Sequence, residues 1–147
     1  MRHVLTFGFA FALAACGGKS KGSEQPAGPD KPLFERLGGQ PAINAVVHEF
    51  VAMTGADPRI NMFFTNVDIP KLEKAMDDHI CSITGGGCTY AGKSMLDAHT
   101  NMKVLQKDFD AFMDDLDKTL TKLDVPAREK GEVLGAFRGV AADVVGH

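Results

Sequence analysis

Residues 94–100, SMLDAHT, contain His99, the histidine of this sequence that is the best candidate for a metal ligand. Ser94 is suited to cap a short helix, because its hydroxyl can accept a free backbone N–H. Met95, Ala98 and His99 would then share one side of that helix, at spacings of three and four residues. A neutral imidazole beside a thioether and a methyl group is a good axial ligand for haem iron. A single histidine on such a helix is more often a packed or surface residue.

The composition is that of one globular domain and argues against a nucleic-acid partner. The 147 residues are 44% hydrophobic and 24% charged, with a formal net charge of −3. Nucleic acid selects concentrated Lys and Arg, which this balance does not provide. With ten Phe, seven Met and no Trp, the core must be built from aliphatic residues, Phe and Met.

The N-terminus has the pattern of an export signal. Residues 1–15, MRHVLTFGFAFALAA, place a basic residue before an apolar run that, at about twelve residues, is too short to span a bilayer. The run ends in Leu-Ala-Ala-Cys, which resembles a bacterial lipoprotein signal with Cys16 as the lipidated first mature residue. Two or more acyl chains anchor a protein stably. The alternative is an ordinary signal peptide that leaves Cys16 as a free thiol.

Three segments follow from this interpretation. Residues 1–15 are the signal peptide, residues 16–32 are the lipidated cysteine and a flexible tether rich in Gly, Ser, Pro and charge, and residues 33–147 are the folded domain. The tether would let the domain stand off a membrane. We therefore expect a lipid-anchored protein on the periplasmic side of a bacterial envelope, in the outer membrane rather than the inner one.

Helical periodicity dominates the folded domain. Short apolar turns are predicted at 33–37 and after Ser94, and longer helices from Pro41, from Asp68, from Asp108 and from Asp124. The last two are expected to be the longest, and the inward stripe of the final helix is expected to include Val133, Leu134, Phe137, Val140 and Val144. The sequence has no alternating run of β-branched residues that would predict a β-strand beside these helical patterns. The predicted class is all-α.

A series of motifs makes the domain recognisable. They are LFERLGG at 33–39, DPR at 57–59, FF at 63–64, VD at 67–68, TGGGCTYAGKSM at 84–95, AH at 98–99, DFD at 108–110 and VP at 125–126. In this order and spacing they resemble the group 1 truncated haemoglobins across residues 33–145. The resemblance implies a two-over-two helical globin around one haem b, iron protoporphyrin IX, which binds oxygen or another diatomic gas.

The resemblance also assigns roles to residues around the haem. His99 corresponds to the proximal histidine that ligates the iron, and Phe64 to the phenylalanine that packs against the porphyrin. Tyr90 and Met95 correspond to haem-contacting positions. Lys71 and Lys93 fall where the family has basic side chains near the propionates, although two solvated surface lysines are an alternative interpretation.

The distal side departs from the family pattern. Where the family usually has Phe-Tyr in the second helix, this chain has Phe50-Val51, and where it often has polar groups, this chain has Leu72 and Met76. Bound oxygen carries partial negative charge that a distal donor stabilises. Tight oxygen binding is therefore not expected here, whereas carbon monoxide and nitric oxide depend less on a donor.

His79 and two cysteines leave alternatives open. His79 lies on the inward stripe of its helix and could be a distal donor, a sixth iron ligand, or a rim histidine bonded to water or backbone.

Cys81 and Cys88 are seven residues apart, and could form a disulfide if their Cα atoms lie within about 7 Å, or remain separate thiols.

Three functions remain in competition. The first is a lipid-anchored haem protein that binds a diatomic gas, as an oxygen carrier does, or passes electrons. The second is a haem enzyme that removes nitric oxide or peroxide and relies on a separate reductase, because the sequence has no flavin or nicotinamide fingerprint. The third is a haem-free helical module. We expect gas binding rather than a dedicated enzyme.

Overall fold

Six α-helices and two 3-10 turns make up residues 31–147, the part of the chain that this computed structural model describes, and no strand occurs there. The helices are α1 (Leu33–Arg36), α2 (Gln40–Ala56), α3 (Ile69–Ile83), α4 (Met95–His99), α5 (Gln106–Lys122) and α6 (Ala127–Gly139). The 3-10 turns are Asn61–Phe63 and Ala141–Asp143. The all-α prediction is confirmed. The predicted signal peptide, Cys16 and nearly all of the tether lie outside the described residues.

No helix within residues 31–147 combines the length and apolar character needed to cross a membrane.

The four long helices pack as two pairs. Helix α2 lies against α3 and α5, and α5 lies against α6. Phe50 of α2 is 2% exposed and meets Phe112 of α5 edge to face, with ring centroids 4.8 Å apart. Phe112 in turn contacts Phe137 of α6 at 5.9 Å. These aromatic contacts link the two helix pairs, and such pairs add to the free energy gained from burial alone.

Local capping chemistry sets where the helices begin. Gly39, with φ at +73°, precedes α2, whose first turn contains Pro41. The Asp68 carboxylate accepts the Lys71 backbone N–H at 3.2 Å at the start of α3. The Ser94 hydroxyl accepts the Asp97 backbone N–H at 3.0 Å at the start of α4. The predicted starts of α3 and α4 are confirmed.

The expected helix lengths were partly wrong. Helix α2 has 17 residues, as many as α5, and α3 with 15 is longer than α6 with 13. Helix α6 ends at Gly139, so Val144 does not continue its stripe, although Val144 is buried. The chain there changes to tighter i→i+3 hydrogen bonds, in which the Val144 N–H donates to the Ala141 carbonyl at 3.1 Å.

A buried ion pair fastens the short helix α1 to α6. The Arg36 side chain is 5% exposed, and its Nη1 lies 2.5 Å from Oε1 of Glu129, whose side chain is 9% exposed. The other end of the guanidinium pairs with Glu132. Because the two carboxylates lie on one face of α6, a single arginine holds the N-terminal turn against the last helix.

The loop after α2 is fixed to α5 by a second charged cluster. Arg59 pairs with Asp57 at 2.6 Å and with Asp114 at 2.8 Å, and its hydrogen bonds lower the pKa of Asp57 to about 2. Burial and the nearby Asp57 raise the pKa of Asp115, whose Oδ2 has no partner within residues 31–147. This cluster positions the 3-10 turn Asn61–Phe63 that follows.

The ion pair of α1 gives a testable consequence for stability. Arg36→Met keeps most of the side-chain volume but leaves the Glu129 carboxylate buried without its partner, which is strongly destabilising. The variant should lower the urea midpoint of unfolding, measured by circular dichroism. Arg128→Met is the matched control, because Arg128 also pairs with Glu132 but its side chain is 51% exposed. An equal shift in the two variants would contradict the assignment of α1 as a buried, ion-paired element.

Candidate functional site

An apolar cavity of about 350 Å³ separates α3 from α4. Helix α3 contributes four lining residues and α4 contributes three, while α5, α6 and the turn after α2 complete the walls with phenylalanines. The lining includes Phe63, Phe64, Leu72, Ala75, Met76, His79, Tyr90, Met95, Ala98, His99, Met102, Val104, Asp108, Phe109, Phe112, Phe137, Val140 and Val144. Four of these side chains, His79, Tyr90, His99 and Asp108, carry strong hydrogen-bonding groups.

His99 lies at the end of α4 with its ring fixed by a backbone hydrogen bond. Its Nδ1 is 2.7 Å from the Met95 carbonyl oxygen. Because a carbonyl can only accept, Nδ1 must carry the proton, and Nε2 of the neutral ring keeps its lone pair. A hydrogen bond of this kind orients metal-ligating histidines and makes them more basic. His99 therefore has the tautomer that a metal ligand requires.

The α3 wall is almost wholly apolar next to the cavity. Leu72, Ala75 and Met76 line it without a hydrogen-bond donor. Phe50 and Val51, which we expected beside the haem, do not line the cavity; both are at most 4% exposed and belong to the core of α2. Their side chains are used in helix packing, and Phe50 reaches the cavity only through its contact with Phe112.

His79 is the one polar side chain that α3 presents to the cavity. Burial lowers the pKa of its imidazole below the ordinary value of 6.5, so the ring is neutral at neutral pH. The ring packs against Tyr90 with centroids 4.9 Å apart and planes inclined by 66°. Within residues 31–147 the ring nitrogens of His79 make no hydrogen bond. The ring thus keeps one donor and one acceptor available.

Tyr90 closes the end of the cavity near His79. Its hydroxyl donates to the Lys93 carbonyl at 2.8 Å, so the loop before α4 folds back on itself. A Cβ at Gly92 would lie 2.3 Å from the hydroxyl and ring carbon of Tyr90, which explains why the loop has no side chain at that position. The tyrosine is therefore held from both sides, by Lys93 and by His79.

The two candidate propionate-binding lysines lie outside the cavity. Lys71 and Lys93 are exposed, and neither forms an ion pair within the described part of the chain. Both lie close to lining residues, since Lys71 is in the first turn of α3 next to Leu72, and Lys93 is two residues before Met95. His48 is exposed and lies 2.9 Å from Glu73, away from the cavity.

Cys81 and Cys88 are joined in a disulfide with Cα atoms 5.7 Å apart. The bridge connects the last turn of α3 to the loop that carries Tyr90. Within residues 31–147, no three His, Cys, Asp or Glu side chains gather to hold a metal ion by themselves.

The structure adds cavity residues that sequence patterns placed only in the core. Phe137 was expected on the inward stripe of its helix, and it lines the cavity together with Phe109 and Phe112 of α5. Asp108 was not expected there. Its Oδ2 accepts the Leu105 backbone N–H at 3.0 Å and so caps α5. A helical stripe marks the buried face of a helix and carries no signal that tells packed core from cavity wall.

These residues fit a flat, largely apolar metal complex such as haem. The His99 imidazole, Phe64 and a wall of aliphatic and thioether groups would bind it, and the separation of α3 from α4 gives it room. The fit rests on His99, whose tautomer is fixed by Met95.

Comparison with known proteins agrees with this geometry. The bacterial-like globin family matches residues 32–145. The group 1 truncated haemoglobin of Tetrahymena thermophila is 33% identical over 114 residues, which cover 78% of this chain and 94% of that protein.

Solved structures show the same arrangement of helices. The Fe(III) truncated haemoglobin of Tetrahymena pyriformis has a TM-score of 0.76 at 32% identity, covering 80% of this chain and all of that one. The cyanomet 2/2 haemoglobin of a Synechococcus species, which has covalently attached haem, has a TM-score of 0.75 at 32% identity over the same shares. Since the family match and the relatives above 30% identity both span the described domain, the chain belongs to the bacterial-like globins as a group 1 truncated haemoglobin.

Proposed function

We propose that this protein binds haem b through His99 and reversibly binds a diatomic gas at the iron. The observation that carries the proposal is the hydrogen bond between Nδ1 of His99 and the Met95 carbonyl, in the wall of an apolar cavity, because it assigns the lone pair of the neutral ring to Nε2. Family membership supports the cofactor. The haem, when bound, supplies the iron at which the gas coordinates.

The remaining cavity residues would bind the porphyrin and exclude water. Phe64 and Met95 offer flat and polarisable apolar surface to the ring, and Tyr90 covers one end of the cavity. Lys71 and Lys93, exposed next to lining residues, are placed to meet the propionates at the surface. A cavity lined by such groups keeps bulk water away from the metal and strengthens the electrostatic interactions inside it.

The apolar α3 wall determines which gas is favoured. Neither Leu72 nor Met76 can donate a hydrogen bond, so oxygen would bind without the stabilisation that a distal donor gives. Nitric oxide and carbon monoxide, which develop less negative charge, would lose less. We therefore infer a ligand preference shifted away from oxygen relative to relatives with a polar distal wall.

A catalytic role toward nitric oxide or peroxide is the second candidate. This alternative differs from the first in the position of His79: its neutral ring, unpartnered within residues 31–147, would have to leave Tyr90 and reach the bound ligand to transfer a proton there. Turnover would need electrons from a separate reductase.

The location proposed for this activity is the periplasmic side of a bacterial envelope, more specifically the outer membrane. The Leu-Ala-Ala-Cys pattern after an apolar run supports lipidation at Cys16, and the polar segment 17–32 supports a tether.

Replacing the proposed proximal ligand tests the central assignment. The full chain, reconstituted with haem, should show a Soret band, and His99→Ala should weaken or shift that band because the iron loses its nitrogen ligand. His48→Ala, at an exposed histidine, is the control and should leave the spectrum unchanged. A spectrum indifferent to His99→Ala, or the absence of saturable haem binding, would overturn the proposal.

Adding a donor to the α3 wall tests the inferred gas preference. Leu72→Gln should slow oxygen dissociation by about tenfold, the equivalent of one net hydrogen bond, as followed by stopped-flow absorbance. Leu72→Met, which changes the side chain without adding a donor, should leave the rate near that of the parent. Carbon monoxide dissociation should change little in either variant. Equal oxygen rates in the two variants would show that the wall does not face the bound gas.

Lipidation at Cys16 is tested by fractionation. In an expressing bacterium, Cys16→Ser should move the protein from the membrane fraction to the soluble fraction, because acyl chains can no longer be attached. Ser20→Ala, in the same tether, should remain with the membrane. Membrane retention of Cys16→Ser would disprove the anchor.

A further inference from the structure

The Cys81–Cys88 disulfide lies close in the chain to the contact between His79 and Tyr90 in the cavity lining. Cys81 follows His79 by two residues on α3, and Cys88 precedes Tyr90 by two residues in the loop. The bridge thus fixes the two backbone segments whose side chains, His79 and Tyr90, meet at 4.9 Å. Opening the bridge would remove the covalent constraint on that contact.

The loop between the bridge and α4 has little else to hold it. In the described chain, residues 87–93 make no backbone-to-backbone hydrogen bond. Besides the packing of Tyr90 against His79, the loop has one side-chain hydrogen bond, from the Tyr90 hydroxyl to the Lys93 carbonyl, and both groups belong to the loop itself. This loop leads directly to Ser94, which caps the helix of His99. Segments with few backbone hydrogen bonds open at low free-energy cost unless a cross-link restrains them.

The two sulfur atoms differ in accessibility. Cys81 is fully buried, and a Cβ at Gly86 would lie 2.5 Å from its Sγ and 2.6 Å from a ring carbon of Phe34, so α1 and the loop cover that side. Cys88 is partly exposed. A thiol from solution would therefore attack the sulfur of Cys88 and release Cys81 as the leaving thiolate.

We propose that the Cys81–Cys88 disulfide is a reducible clamp that controls how tightly the cavity retains haem. A dithiol reductant supplies two electrons and two protons, the S–S bond becomes two thiols, and the dithiol becomes a disulfide. The loop that carries Tyr90 and leads to α4 then loosens, and haem leaves faster. This inference rests on the proposed haem binding.

The test compares haem loss from the oxidised and reduced protein. The full chain with Cys16→Ser retains only the paired cysteines, since the sequence has three. Ferric haem protein, untreated or treated with dithiothreitol that is then removed without air, is mixed with excess apomyoglobin, and transfer is followed at the Soret band. The same chain with Cys81→Ser and Cys88→Ser is the matched control, and far-ultraviolet circular dichroism reports helix content.

Reduction should accelerate haem loss by about tenfold or more. The double serine variant should show the fast rate with or without dithiothreitol, and helix content should be unchanged in all samples. Equal rates for the oxidised and reduced forms would overturn the clamp while leaving haem binding intact. A general loss of helix on reduction would also overturn it, because the bridge would then hold the whole fold. Failure of both forms to bind haem would refute the proposed function and the clamp together.

Discussion

A helix of only five residues has to hold His99 in the cavity wall, and a helix this short is not stable by itself in water. It is held at both ends and along one side. Ser94 caps its start, and the Thr100 hydroxyl donates to the Leu96 carbonyl at its end. The helix packs against the 3-10 turn Ala141–Asp143, and beyond it the Gly146 N–H donates to the Val104 carbonyl at 2.9 Å. The position of the histidine thus depends on the last residues of the chain.

The α4 wall and the α3 wall of the cavity differ in their chemistry. On α4, a hydrogen bond to Met95 polarises His99 and preserves a lone pair, which is what a metal ligand needs. On α3, the side chains at the centre of the wall are aliphatic or thioether groups, and the polar His79 lies next to Tyr90. One wall is therefore suited to bind iron, and the other is suited to admit a small ligand without holding it by a hydrogen bond.

A cavity of this size removes packing contacts from a small domain, so the remaining core has to compensate. The contacts between Phe50, Phe112 and Phe137 connect α2, α5 and α6 directly behind the cavity. Charged residues stabilise the periphery, with Arg36 joining α1 to α6 and Arg59 joining the loop after α2 to α5. The loop after α3 has no comparable ion pair in the described chain and relies on the disulfide.

Local chemistry could be read directly from the sequence. The all-helical class, the caps at Asp68 and Ser94, and the shared face of Met95, Ala98 and His99 followed from residue type and spacing, because these depend on neighbours within one turn. The family resemblance came from motifs along the whole domain. Phe50 and Val51 were expected beside the haem and do not line the cavity, because only the packing of α2 decides which neighbour its buried face meets.

Tertiary structure decided what lies between the elements. Inward-facing phenylalanines such as Phe109 and Phe112 of α5 or Phe137 of α6 give the same sequence pattern whether they face packed core or a cavity, and the distinction arises only where α3 and α4 stand apart. The pairing of Cys81 with Cys88 and the contact of His79 with Tyr90 likewise depend on how the glycine-rich loop folds back. The sequence by itself determined the all-α class, the apolar side chains of the α3 wall and the chemistry of His99, because these depend on residue type and on neighbours within a turn. The cavity depends on distances between residues far apart in the chain, and the Cys81–Cys88 bridge depends on how one loop folds back, and only packing determines either.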